Sequence, residues 1–228
     1  MDEALQNTSS SRVDAFVDAA FAFAITLLVV SGDALPRTLD DLLAAVAQIP
    51  AFAAGFALLA LFWWSHHSYR KLHRTDDAPG LLLSLIIVFV VMIYVYPLRL
   101  LGESTAFYLS GRTLPGSPIV QSPGDMKALY LIYGVGFVAL ALLYVLLFRH
   151  ARRQSERSEI ADEARISEAC WMIAGGVGLA SILLAVLLPT GPWAAGLPGM
   201  VYMLIPVGVM IYMRTRGRRL ATQATPTA

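Results

Sequence analysis

Charge is what this chain has least of. Of its 228 residues only 14% are Asp, Glu, Lys or Arg, and 57% are hydrophobic. An average soluble domain is about 25% charged and about 45–50% apolar. Between Ala169 and Met213 no charged residue occurs at all, and such a run needs lipid or protein on every side. A soluble globule is therefore excluded. Thiols are nearly absent as well. The single cysteine, Cys170, rules out an internal disulfide and any multi-cysteine metal site, and it reads as a buried apolar residue. A net charge of +1 gives nucleic acid no whole-chain attraction, so no nucleic-acid partner is expected. H-E-x-x-H, G-x-S-x-G and Walker-type loops are missing too; neither an enzyme nor a bound cofactor is expected.

What the chain does have is six apolar stretches, roughly 13–31, 42–67, 80–101, 127–149, 168–188 and 197–214. Each is near the ~20 residues that cross a ~30 Å hydrocarbon core as a helix. The first carries Asp14 and Asp18 and no A-x-A-type site follows it, so it reads as a retained span rather than a cleaved signal. The last two are parted by Pro189-Thr190-Gly191-Pro192 and Gly196-Leu197-Pro198-Gly199, turn signals that favour two spans over one region. The chain reads as a single membrane domain over 1–228, with polar tails at 1–11 and 220–228 expected to be disordered. A Gly-, Pro- and Ser-rich loop is expected at 102–126, and a solvated helical extension at 152–168.

Basic residues set the orientation. Arg12, then Arg70, Lys71 and Arg74, then Arg149, Arg152, Arg153, Arg157 and Arg165, then Arg214, Arg216, Arg218 and Arg219 all fall on one side of a six-span layout. The other side has only Arg37, Arg99, Arg112 and Lys127. The positive-inside rule puts both termini in the cytoplasm, as an even number of spans requires.

The middles of the spans lack Asp, Glu, Lys, Arg and His. Transporters and pumps usually place such groups near the midplane, so coupled transport is disfavoured. The run Ile132-Tyr133-Gly134-Val135-Gly136 has the look of a potassium-filter loop. It lies inside a continuous span, however, where carbonyls belong to helix bonds and small residues to packing.

The first span is the most informative. With about 100° per residue, Phe16, Leu27 and Val30 fall within roughly 40° of Phe23, and Asp18 lies roughly 140° away. The residues between include Ala19, Ala20, Ala22 and Ala24, which allow close helix approach. Periodicity alone is also met by a packed or lipid-facing helix with a polar first turn. The second span ends Phe62-Trp63-Trp64-Ser65-His66-His67-Ser68-Tyr69-Arg70. Antiparallel to the first, it brings Trp63, Trp64, His66 and His67 to the depth of Asp18 as candidate partners. His66 and His67 point about 100° apart on a helix, so joint ligation of one metal is not expected.

These residues resemble the bacterial branch of the transmembrane protein 175 family of potassium channels. Its motif R-x-x-x-F-S-D is met by Arg12, Phe16 and Asp18, and the match continues through Phe21-Ala22 and Ala24-Ile25-Thr26-Leu27-Leu28-Val29. Its W-x-x-H-H is met by Trp63, His66 and His67. The family's Ser is Val17 here, and its usual Ile or Leu at the neck is Phe23. The resemblance implies an all-α protein of six transmembrane helices per chain, assembled as a homotetramer around a central pore lined by the first helix. It implies a constriction at Phe23, Leu27 and Val30 with Thr26 beside it, and a structural network of Arg12, Phe16, Asp18, Trp63, His66 and His67. The partners it implies are further copies of the chain, the lipid bilayer and permeant potassium ions. The location it implies is the cell membrane, in a bacterium the inner membrane. Two other readings stay open: a non-conducting membrane scaffold, and a transporter using Asp18, His66 and His67.

Overall fold

The structure is a computed structural model that describes residues 2–30, 37–73, 77–111, 113, 120–189 and 196–224. Among these the regular structure is entirely helical: α1 (Asp2–Val30), α2 (Leu39–Ala47), α3 (Ile49–Leu72), α4 (Ala78–Leu109), α5 (Pro123–Gln154), α6 (Ser158–Leu187), α7 (Leu197–Met200) and α8 (Leu204–Ala224), with a 3-10 turn at Val201–Met203 joining the last two. Five segments of the described residues are long and apolar enough to cross a membrane: Ile49–Leu72, Ala78–Phe107, Pro123–Gln154, Ser158–Leu187 and Leu197–Gly217. α1, read from the sequence as a sixth span, is not among the five.

Several boundaries differ from those that hydropathy suggests. The stretch 42–67 is two helices, because the chain steps out of the helix at Gln48 and Pro50 opens α3. Pro at the start of a helix is well tolerated, whereas further in it would cost a backbone bond. α2 has its own start signal, a capping box in which Thr38 and Asp41 satisfy each other's backbone. α4 runs to Leu109, well into the stretch read as loop, and accommodates Pro97 inside it. The expected extension at 152–168 is the last turn of α5 and the first turns of α6. At the two ends the helices reach further than the composition suggests: α1 starts at Asp2 and α8 continues to Ala224. Arg74, Arg112 and the turn residues Thr190, Gly191 and Pro192 lie outside the described residues.

The bundle is built outward from the α5–α6 pair. α4 lies along α5, α1 and α3 pack on α4, and α7 and α8 lie against α6. Phe62 of α3 is the hinge of the core. Its ring stacks on Tyr144 of α5 at 6.0 Å and on Trp171 of α6 at 5.7 Å, and it meets Tyr94 of α4 edge-on at 6.1 Å. The Tyr144 hydroxyl donates to the Phe62 carbonyl at 2.6 Å, so a buried phenol keeps its partner. Both glycines in the filter-like run are explained by the packing of α5 against α6 and α4. A Cβ on Gly134 would meet Ile182 at 2.6 Å, and one on Gly136 would meet the Tyr94 ring at 2.5 Å.

Candidate functional site

α1 has two unlike faces. Val17, Phe21, Ala24 and Leu28, spaced four, three and four apart, are buried against the core. The fit to α3 is close, since a Cβ on Gly55 would meet Leu28 at 2.9 Å. The other face is uncovered in the single chain. Ala15, Phe16, Ala19, Ala22, Phe23, Thr26 and Val29 are all exposed, with Phe16 at 55% and Phe23 at 54%. On the helical wheel this face is centred near Thr26, whose hydroxyl donates to the Ala22 carbonyl at 2.9 Å. Leu27 is half-buried at the margin, and Ile25 is half-buried on the packed side. The side chain of Val30 lies outside the described residues.

Two polar contacts fix the rotation of α1 against α3. Trp63 Nε1 donates to Asp18 Oδ1 at 2.8 Å, and Arg70 Nε donates to Asp14 Oδ1 at 2.6 Å. Of the partners that the sequence offers Asp18, the structure selects Trp63. His66 turns the other way, is buried, and meets Ser84 Oγ of α4 at 2.9 Å, while Ser84 donates to the Gly80 carbonyl. His67 stacks on Trp63 at 5.5 Å and leans on Trp64 at 6.0 Å. Asp18 and His67 thus share Trp63 as a neighbour, while His66 is turned away to Ser84. Arg12 is exposed one turn before Phe16 on the uncovered side.

Sequence reading missed three groups. The Asp14–Arg70 pair had a signal, since Asp14 lies one turn before Asp18. Glu168 is 4% exposed and accepts from Arg149 Nε at 2.7 Å and Arg152 Nε at 2.8 Å. Its signal was an acid at the edge of an otherwise uncharged span. The third group is His73, Asp77 and His150, whose Nε2 and carboxylate atoms meet where α3, α4 and α5 come together. Nothing in the spacing announced it. Cys170, read as buried, is half-buried.

A bundle of long apolar helices with its charged groups gathered near helix ends defines a multi-pass membrane protein. Residues 12–97 match the family described as "Endosomal/lysosomal potassium channel TMEM175". A potassium channel from Marivirga tractuosa is 27% identical over 219 residues, covering 92% of this chain and 88% of its own. One from Streptomyces collinus is 30% identical over 152 residues, covering 63% of this chain and 65% of its own. The crystal structure of a variant of the potassium channel MtTMEM175, bound to a nanobody–MBP fusion protein, superposes with a TM-score of 0.76 at 27% identity, covering 91% of this chain and 93% of that one. A TMEM175 homologue from Chamaesiphon minutus shares the fold, with a TM-score of 0.62 at 20% identity over 91% of this chain and 98% of its own. The relatives are channels, not enzymes.

Proposed function

We propose that the chain is one subunit of a potassium channel whose pore runs between the α1 helices of four copies. The observation that carries this reading is the uncovered face of α1. A helix pinned to its own bundle by Asp14, Asp18 and a buried apolar stripe presents small residues, two phenylalanines and a hydroxyl on the opposite side. Small residues suit close helix approach, and a lipid-facing helix has no need of them. The named relatives support potassium as the ion.

On this reading α1 is the sixth span, and the basic helix ends bearing Arg70, Arg149 and Arg152 lie in the cytoplasm with both termini. The membrane is the cell membrane, in a bacterium the inner one. Phe23, Leu27 and Val30 form the apolar neck, and Thr26 puts a polar oxygen on the same surface. An apolar neck gates by dewetting and asks the ion to shed part of its water. Potassium gives up water more readily than sodium, so the neck favours it. Trp63 and Arg70 act as positioning residues, because they hold the rotation of α1 that aims Phe23 away from its own bundle.

Cation flux into liposomes containing the full chain tests the reading. Phe23→Ala is expected to raise flux and lower the preference for potassium over sodium, and Leu27→Ala to do so less. Ile25→Ala, on the packed side, is expected to leave selectivity unchanged. A selectivity change in Ile25→Ala without one in Phe23→Ala would refute the assigned pore face. Absence of flux from the wild type across voltages and pH values would favour the non-conducting scaffold.

A further inference from the structure

We propose that His73, Asp77 and His150 form a zinc-type divalent-cation site at the basic end of the bundle, clamping the α3–α4 connection to the end of α5. Each residue comes from a different place. His73 is the residue that ends α3, Asp77 directly precedes α4, and His150 stands one turn before the end of α5. His73 Nε2 lies 3.2 Å from Asp77 Oδ1, and His150 Nε2 is in hydrogen-bond contact with Asp77 Oδ2. The three candidate ligand atoms all lie within 4.8 Å of one another. The two imidazoles meet nearly at right angles, 78° with centroids 5.1 Å apart, and each directs its Nε2 to the Asp77 carboxylate.

The chemistry of the set fits zinc. Two neutral imidazoles and a carboxylate are borderline ligands that zinc accepts, at bond lengths of about 2.0–2.2 Å. A tetrahedron with such bonds has ligand-to-ligand edges of about 3.3 Å, close to the distance already held between His73 and Asp77. The remaining separation is closed by side-chain rotation. Three protein ligands leave the fourth position to water. Side-chain exposures of 10% for His73, 28% for Asp77 and 16% for His150 make the point sheltered yet reachable from solvent. Burial would push the Asp77 carboxyl up, but the hydrogen bonds from His73 and His150 outweigh it and hold the carboxyl below its usual range. On binding, each imidazole gives up the Nε2 proton that it donates to Asp77, which moves to Nδ1 or to solvent, so that the Nε2 lone pair faces the metal. The other two histidines are otherwise engaged, His66 by Ser84 and His67 by Trp63.

The site does not depend on the channel reading. Its test is calorimetric titration of the tag-free full chain, stripped with chelator in mild detergent, with Zn2+ alone. One zinc per chain is expected, together with a zinc-dependent rise in Tm. His73→Ala and Asp77→Asn are expected to weaken binding by about 10–100-fold or more. His150→Gln keeps a donor for Asp77, so its Tm in chelator should match wild type while its zinc-dependent rise is lost. Cys170→Ser, which removes the one thiol, should change neither. Co2+ in place of Zn2+ should give the visible bands of a four-coordinate site in wild type and not in His150→Gln. No zinc uptake by the wild type, or equal uptake by wild type and His150→Gln, would overturn the proposal and leave the three residues as a hydrogen-bonded triad.

Discussion

Glu168 shows how a charge lives at the edge of this bundle. Its carboxylate is enclosed, while Arg149 and Arg152 reach it from α5 with side chains 39% and 29% exposed. The two sides of the interaction therefore differ in what happens when a partner is lost. Glu168→Gln frees two guanidiniums that water can take up, at a cost of about 1–3 kcal/mol. Arg149→Met combined with Arg152→Met strands a buried carboxylate, and about 3–5 kcal/mol is expected. Denaturant titration in mild detergent should rank the arginine double variant as the less stable; the reverse order would mean that Glu168 is protonated or wet. Depth in the sequence was enough to put Trp63 among four candidate partners of Asp18, because an acid a turn and a half inside a span has few donors at its level. It was not enough for His66. Its partner Ser84 is one of many serines, and only the packing of α3 on α4 singles it out.

At the scale of helices, hydropathy located the apolar segments well and their breaks poorly. Leu39–Ala47 is as apolar as the helix after it, so the step at Gln48 is invisible to a sliding average, and only Pro50 and the Thr38–Asp41 capping box mark it. That box carries a pH dependence. The backbone N–H of Arg37, the Thr38 hydroxyl and the Thr38 N–H all bond the Asp41 carboxylate and lower its pKa. A depressed native pKa stabilises the start of α2 fully above the unfolded value near about 4, and the gain is lost as pH falls through the native value. Asp41→Asn should thus speed amide exchange in the first turn of α2 at neutral pH and flatten its response to acid; unchanged exchange would show the box to be idle. The filter-like run is explained at this same scale. In Gly136→Ala the new methyl collides with the Tyr94 ring, and overpacking of that kind costs about 1–3 kcal/mol. A thermal melt in detergent should show the loss with the helix content intact.

Across the whole molecule, the outer surfaces are not alike. α6 turns Met172, Leu179, Leu183 and Val186 outward, and α8 turns Val207, Met210 and Ile211 outward, as suits lipid tails. α1 instead offers Ala15, Ala19, Ala22 and Thr26 between its phenylalanines. That contrast is expected to decide assembly. The native mass in mild detergent should correspond to four chains, and Ala22→Leu should lower it, whereas Leu183→Ala should leave it unchanged. A wild type that stays a single chain would remove the basis for a pore between copies. The all-helical character of the apolar stretches was legible in the sequence, because it follows from local composition. The covered side of α1 was not, since Val17, Phe21 and Leu28 are no more apolar than Phe16 and Phe23. Only the positions of α3 and α4 tell the two sets apart.

The two contacts that orient α1 also bear on how the chain is made. Trp63 follows Asp18 by 45 residues and Arg70 follows Asp14 by 56. When α1 leaves the ribosome, neither Asp14 nor Asp18 has its α3 partner, and an unpaired acid is poorly tolerated away from water. Its polar first turns must therefore stay at an aqueous surface until the end of α3 has been synthesised. α1 is thus seated only after α3, which follows it in the chain, has been made.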